Sequence, residues 1–389
     1  MTHWLDIVGA GEGELPALPA AQTVLGPVRF KARVPHLVEW QSPKLDDMLQ
    51  QIVALRGTPT IVLASGDPMW FGIGATLTRH LDPSEYRITP GPSSFQFAAA
   101  RMRWPLQHVA TLSLHGRPAE FIHPHITPGS RILALTTDAT TAPHVARLLV
   151  ARGYCRSLLT ILEHLGGDAE RITTATAQGF DLTIGNFYVL ALDCVADPGA
   201  PLLAPVPGLP DDAFVSDGQL TKREVRAATL GKLMPYPGAL LWDVGAGCGS
   251  IGIEWMRSAR DAKTIAFERE GERLQMIAVN ADRLGVPTLK IETGEAPDSL
   301  VGQPAPDAIF LGGDVGNETL FHACWSALRR SGRLVANAVT LEGEQALYER
   351  QARLGGELCR MDVSVLDRIG AHRALRPRMA VTQWSVSKP

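Results

Sequence analysis

The stretch Asp243-Val244-Gly245-Ala246-Gly247-Cys248-Gly249 has the residue types and spacing of a ligand-binding turn. Glycines at alternate positions let the backbone turn tightly and approach a ligand without Cβ clashes. Glu268 follows 23 residues beyond Gly245, at the end of the next apolar run. A carboxylate there is placed to accept hydrogen bonds from ribose hydroxyls. The dinucleotide fingerprint G-x-G-x-x-G requires glycine at 250, where this chain has Ser250, so NAD is the rival cofactor reading and not the first one. Upstream, Thr221 can cap a helix beginning at Lys222, with Glu224 as half of a capping box. Arg223 and Arg226, at i and i+3, can share a face of that helix. Alone they read as a solvated basic face; beside an open cleft they can hold carboxylates in bidentate contacts. His123-Pro124-His125 offers two imidazoles without an identifiable third ligand, so no metal site is expected. The five cysteines are odd in number, far apart and free of any CxxC pair. That speaks against a disulfide framework or zinc site and fits a reducing cytoplasm. Cys248 is read as a small loop residue, not a nucleophile.

The elements that must position these residues alternate between strand and helix. In the C-terminal half Leu240 to Val244, Thr264 to Phe267, Leu289 to Glu292, Asp307 to Leu311 and Arg333 to Ala338 are expected strands. Helices are expected at Ser250 to Met256 and Glu272 to Leu284. The runs Leu358 to Val365 and Arg378 to Val386 have no helical pattern between them and read as an antiparallel pair closing the sheet edge. A doubly wound sheet of this kind binds its ligand at the carboxyl ends of the strands. The N-terminal half also begins with a strand, Trp4 to Val8, that runs into Gly9, Gly11 and Gly13. Its later strands are expected at Thr60 to Ala64, Tyr86 to Thr89, Arg131 to Thr136, Ser157 to Leu162 and Phe187 to Leu192. A helix follows the turn Pro90 to Ser94, and another covers Ala142 to Ala151. The stretch His115 to Ser130 is expected to divide this half into two lobes. Ala196 to Pro210 contains five prolines and two glycines in fifteen residues, a density no helix or sheet interior tolerates. It is read as a semi-rigid linker between domains 1–195 and 211–389.

Composition excludes several classes. A length of 389 residues suggests two or three domains of roughly 100–200 residues each. With 45% hydrophobic and 20% charged residues, the chain has material for real cores. The net charge, 37 − 40 = −3, lacks the basic footprint of a general nucleic-acid binder. No basic and apolar leader opens the sequence, and no apolar run reaches 18 residues, so neither a signal peptide nor a membrane span is expected.

The motifs also carry resemblances. The Asp243–Gly249 pattern resembles the class I S-adenosylmethionine-dependent methyltransferases. DGQLTKREVRA, DVGAGCGSIGIEW, GEAPDSL and GRLVANAVTLE extend that resemblance over Val215 to about Val386. It implies that Thr221, Gly245, Ala246, Gly247, Cys248, Gly249, Glu268 and Ala296 line the cofactor site. In the other half GAGEG, SGDPMWFGIG, PGPSS with AAARMRWPL, and ILEHLGGDAERI resemble the tetrapyrrole methylase family. That likeness implies a two-lobed α/β domain with cofactor contacts at Asp67, Trp70, Ser93 and Ser94, and a first glycine loop that faces substrate. Singly, SGDP is an ordinary turn and PGPSS an ordinary helix entry; their order makes them specific. One chain carrying both modules resembles the bifunctional precorrin-6B C5,15-methyltransferases (decarboxylating) of aerobic cobalamin synthesis. The implied fold is two α/β domains, the second a doubly wound Rossmann-like class I methyltransferase. The implied cofactor is S-adenosylmethionine, one site per domain, and the implied partner is a tetrapyrrole (precorrin), with no nucleic acid and no membrane. Relatives of both halves associate, so a homo-oligomer is expected. A polycarboxylate substrate needs local arginines, for which Arg101, Arg103, Arg223, Arg226 and Arg257 are the candidates. No catalytic acid or base is assigned. The competing readings are a methyltransferase acting on RNA or another substrate, and an N-terminal half that only binds.

Overall fold

Strands buried on both faces read as near-continuous apolar runs, and here such runs form the central strands of three sheets. The computed structural model describes residues 3–13, 15–40 and 44–389. The chain divides into two compact units, Met1–Ala119 with Pro128–Pro201, and Glu120–Thr127 with Leu202–Pro389.

The first unit holds two five-stranded sheets. One contains β1 (Leu5–Ala10), β2 (Thr23–Gly26), β3 (Val38–Glu39), β4 (Thr60–Ser65) and β5 (Tyr86–Thr89), in the order β3-β2-β4-β1-β5 and all parallel. Helices α1 (Leu45–Val53) and α2 (Ile73–Leu77) connect its strands. After α3 (Ser94–Met102) come β6 (Ala110–Ser113), β7 (Arg131–Leu135), α4 (Thr141–Ala151), β8 (Leu158–Glu163), β9 (Arg171–Thr176) and β10 (Tyr188–Asp193). Their order is β6-β7-β10-β8-β9, parallel only between β6 and β7. Phe95, Ala98 and Ala99 of α3 are buried with Leu133, Leu162, Val189 and Ala191 of the second sheet. The division between lobes therefore falls at the Pro90–Ser93 turn, not at His115 to Ser130. The reason is local: Ser93 caps α3, and α3 buries its apolar face on the second sheet.

The second unit runs α5 (Arg223–Leu233), β11 (Leu240–Val244), α6 (Ser250–Ser258), β12 (Lys263–Glu268), α7 (Gly271–Leu284), β13 (Lys290–Thr293) and β14 (Ala308–Leu311). It continues through α8 (Glu318–Ala327), β15 (Arg333–Ala338), α9 (Leu341–Leu354), β16 (Glu357–Met361), β17 (Ser364–Ile369), β18 (His372–Pro377) and β19 (Val381–Ser387). Seven strands form one sheet, β13-β12-β11-β14-β15-β19-β16, with β13 to β15 parallel. Strand β19 is antiparallel to both β15 and β16, so the expected edge pair is present. Between its members the chain adds an unexpected hairpin, β17 with β18, as a separate two-stranded sheet. Chain order reverses between β11 and β14, which opens the crevice of a doubly wound sheet at their carboxyl ends.

The proline-rich stretch is not a free spacer throughout. Leu203 and Leu209 are buried with Cys248, Ile253 and Ile277. Glu254 accepts the Gly208 and Leu209 amides at 2.6 and 2.9 Å. Proline excludes helix and ladder here, but the leucines between the prolines still bury apolar surface. Among the described residues no helix is long and apolar enough to cross a membrane.

Candidate functional site

Strand β11 ends in Asp243 and Val244, and the next five residues turn into α6. Gly245, Gly247 and Gly249 have φ of +73°, +60° and +80°, which L side chains rarely adopt. The loop is stitched to β12: Gly245 and Ala246 donate to the Phe267 carbonyl, and Gly247 donates to Glu268 Oε2 at 2.8 Å. Glu268 Oε1 accepts the Arg269 and Glu270 amides at 2.9 and 3.1 Å. The carboxylate thus stands at the strand end, fixed beside the glycine loop. A Cβ on Gly245 would lie 3.0 Å from Gly313 N, so the turns after β11 and β14 touch.

Asp243 lies beneath this loop and is 1% exposed. Its Oδ2 accepts the Gly252 amide at 2.9 Å, while Oδ1 has no partner among the described residues. Burial pushes the carboxyl up to about 7; the Gly252 amide opposes this and nearby Glu268 adds to it. A buried, under-satisfied acceptor beside left-handed glycines fits a cofactor that carries an ammonium group on its amino-acid end.

The Cys248 side chain is buried in the core with Ile253 and Ile277, and burial raises its thiol. It therefore gives the loop only its backbone. Its carbonyl accepts Asn280 Nδ2 at 3.0 Å, and Asn280 also exchanges two 2.8 Å hydrogen bonds with the backbone of Val215. Arg273 grips Asp217 Oδ2 at 2.7 Å and Gln219 Oε1 at 2.9 Å. Asn280 ties the 215–219 segment to the glycine loop and Arg273 ties it to α7, and sequence reasoning missed both. Their seven-residue spacing, two helical turns, was the available signal. Thr221 follows that segment and is half-buried. It does not cap α5: the helix starts at Arg223, leaving the cap position to Lys222, which forms no side-chain cap bond. Ala296 lies in the turn after β13, packed against the core of the sheet.

The arginines separate into two kinds. Arg226 is fully buried. Its Nε binds Glu254 at 2.6 Å and its terminal nitrogens bind Asp211, the Thr221 carbonyl and the Leu209 carbonyl. Arg257, also buried, donates to the Leu284 and Leu203 carbonyls. Both hold the 203–211 stretch in place, so neither is a free substrate contact. Arg223 is exposed while Arg226 is buried, so the two do not form the single solvated basic surface their spacing suggests. Arg101 forms a two-pronged pair with Glu170 at 2.5 and 2.9 Å, and Arg103 is exposed at the end of α3.

In the first unit, the carboxyl ends of β1, β4 and β5 converge. A Cβ on Gly9 would meet Gly66 O and Gly91 N at 2.6 Å. Asp67 Oδ1 accepts the Met69 amide at 2.7 Å in a tight turn. Ser93 and Gln96 form a reciprocal capping box at the start of α3, and Ser94 is its first residue. The 66–67 and 93–94 turns pack together, since a Cβ on Gly66 would sit 3.2 Å from Ser93 Cα. Trp70 rests on Phe95, ring centroids 5.5 Å apart, and stays exposed. Arg33 donates to the carbonyls of Gly11, Glu12 and Gly13 and braces the first glycine loop. The Glu12 carboxylate there faces Arg29 at 3.7 Å and His164 at 3.8 Å.

A family model described as "Precorrin methyltransferase domain" matches residues 212–388, and one described as "Tetrapyrrole (Corrin/Porphyrin) Methylases" matches residues 7–181. Over its whole length the chain is 44% identical to the "Precorrin-6Y C(5,15)-methyltransferase [decarboxylating]" of Sinorhizobium sp, covering 97% of that protein. It is 36% identical, over 98% of its length, to the protein of the same name from Mycobacterium tuberculosis, again covering 97%. Among solved structures, the C-terminal domain of precorrin-6Y C5,15-methyltransferase from Rhodobacter capsulatus is 39% identical, covering 48% of this chain and 100% of that chain, with a TM-score of 0.46.

Proposed function

The chain belongs to the precorrin-6Y C5,15-methyltransferase (decarboxylating) family, and from that membership we infer that it methylates precorrin-6B at C5 and C15 and removes the carboxyl of the ring-C acetate. The C-terminal half carries the C15 methylation and the decarboxylation, the N-terminal half the C5 methylation, each with its own S-adenosylmethionine site. The observation that carries this reading is the turn after β11. Its three left-handed glycines lie over the under-satisfied Asp243, and Glu268 stands at the neighbouring strand end.

When bound, S-adenosylmethionine supplies an electrophilic methyl group on a good leaving group. The protein's part is alignment and exclusion of water. Asp243 and the side-chain-free backbone of the glycine loop border the amino-acid end, and Glu268 keeps lone-pair capacity toward the ribose. Asn280 and Arg273 fix the 215–219 segment over the loop. In the N-terminal half Asp67, Trp70, Ser93 and Ser94 border the corresponding site. The nucleophile is a meso carbon of the reduced macrocycle, enamine-like because ring nitrogens push electrons toward it. In decarboxylation the bond to the carboxyl breaks and its electron pair enters the conjugated imine of the macrocycle. Carbon dioxide leaves and a proton takes its place. The substrate thus supplies its own electron sink, and the residues around the glycine loop need only hold it still.

The test is mass spectrometry of reduced precorrin-6 incubated with the chain and S-adenosylmethionine. Two methyl groups gained with one carboxyl lost supports the reading. One methyl gained with the carboxyl lost keeps the C-terminal assignment and reduces the N-terminal half to a binding module. No mass change, with cofactor bound, removes the substrate assignment.

A further inference from the structure

The hairpin β17–β18 grows from the rim that carries the cofactor loop. Strand β19 runs antiparallel to β15, with Thr382 opposite Ala338, so the Val381 end of β19 lies at the carboxyl end of β15. Met361, the last residue of β16, is opposite Val381. The residues between them therefore emerge at the carboxyl-end rim, where Gly245 to Gly249 and Glu268 also lie. Arg378, at the base of the hairpin, pairs with Glu224 in the first turn of α5 at 3.0 Å.

The two faces of this hairpin differ. On one, Arg376 pairs with Asp367 at 2.9 Å. On the other, Leu366 stands directly opposite Leu375, and Arg368 directly opposite Arg373. The leucines are 62% and 68% exposed. Neither guanidinium on this face has a carboxylate partner among the described residues. Facing like charges and bare leucines both disfavour an isolated two-stranded ribbon, which has little stability to spare. The combination suits a flat apolar ligand fringed with carboxylates: leucines for the body, planar guanidinium forks for the rim.

We propose that this hairpin is the substrate-docking arm of the C-terminal unit. Leu366 and Leu375 contact the macrocycle, and Arg368 and Arg373 take its peripheral carboxylates. The inference rests on the tetrapyrrole reading above and adds the element that binds the substrate. It also replaces Arg226 and Arg257, buried and with their terminal nitrogens bonded to backbone and carboxylate groups of the fold, with exposed arginines that have no carboxylate partner among the described residues.

The experiment compares the full-length chain with its R368Q/R373Q and L366S/L375S variants, using precorrin-6B and following loss of the carboxyl. The R260Q variant, altering an exposed arginine just before β12 at the opposite rim, is the control. Cofactor affinity is measured by calorimetry as a check on folding, and association state by sedimentation. Removing charge-assisted contacts should raise KM for precorrin-6B about tenfold or more in R368Q/R373Q. KM should also rise in L366S/L375S, while R260Q keeps the wild-type KM and all variants keep wild-type cofactor affinity. Wild-type KM in both hairpin variants overturns the proposal. So does an equal rise in R260Q, which indicates bulk charge, and so does a change of association state with KM unmoved, which makes the hairpin a contact between copies. If the wild-type chain itself leaves precorrin-6B unchanged, the functional reading falls and the docking arm with it. If the wild type turns over and the variants match it, only the docking arm falls.

Discussion

The two glycine loops look alike in sequence and use glycine for different reasons. In the C-terminal loop Gly245, Gly247 and Gly249 all have left-handed backbone. In the N-terminal loop none of Gly9, Gly11 and Gly13 does; Gly9 is needed because backbone atoms of Gly66 and Gly91 occupy the space of a Cβ. The bracing is also opposite in polarity. Carboxylates brace the C-terminal loop and the turn it enters, Glu268 taking the Gly247 amide and Asp243 the Gly252 amide. The guanidinium of Arg33 braces the N-terminal loop by its carbonyls. One spacing of glycines therefore answers two physical demands, a dihedral angle in one loop and an absent atom in the other.

The largest expected contrast is in pH dependence. Burial holds Asp243 at about 7 against its ordinary 3.8, a penalty on the order of 4 kcal/mol for the ionised form. The folded chain then binds a proton that the unfolded chain has released. Stability from this group is full below about pH 4, falls as pH rises to about 7, and is flat above. Hydrogen exchange of Leu240–Val244 between pH 4 and 8 should show that loss, and Asp243→Asn should flatten it. The arginine-braced loop of the other unit should show no such slope.

Gly9→Ala drives a Cβ into backbone on two sides and should cost the first unit about 3 kcal/mol in urea unfolding. A mild effect there would mean that the converging strand ends can part. Replacing Arg33 with methionine strips three carbonyls of their shared donor and should cost about 2 kcal/mol. C5 methylation should be lost with it, while C15 methylation, read on the same mass spectrum, persists. Gly247→Ala is the mildest. The nearest atom to its Cβ would be Gln219 O at 3.7 Å, so only the left-handed backbone is penalised, by about 1 kcal/mol. Its damage should appear in cofactor affinity more than in unfolding.

The legible parts of the sequence are those whose pattern has one cause. Leu240 to Val244 and Arg333 to Ala338 are buried on both faces and read directly as strands. Strand β9, Arg171–Thr176, is a polar edge with no apolar pattern to find. The β17–β18 hairpin was missed because its leucines face solvent and obey no core periodicity. Arg223 and Arg226 show the limit of spacing: i and i+3 places two side chains near one another without saying which meets the core. The answer depended on Glu254 and Asp211, distant in sequence. Ser93 illustrates the reverse, a residue chosen for a family role whose hydroxyl is engaged in a capping box.

The segment Glu120–Thr127 belongs to the second unit although the first unit's chain surrounds it. Within that unit a Cβ on Gly285 would strike Pro124, Glu120 and His123. On the ribosome these eight residues leave the exit tunnel about 160 residues before Gly285 does. At 5–20 residues per second, that is a wait on the order of ten seconds. During it the first unit can complete both its sheets, while Pro124 and His123 still lack the Gly285 turn that packs on them in the finished fold. A slow stretch of translation after Pro201 would lengthen that exposure, so the order of synthesis sets when this loop becomes safe from chaperones and proteases.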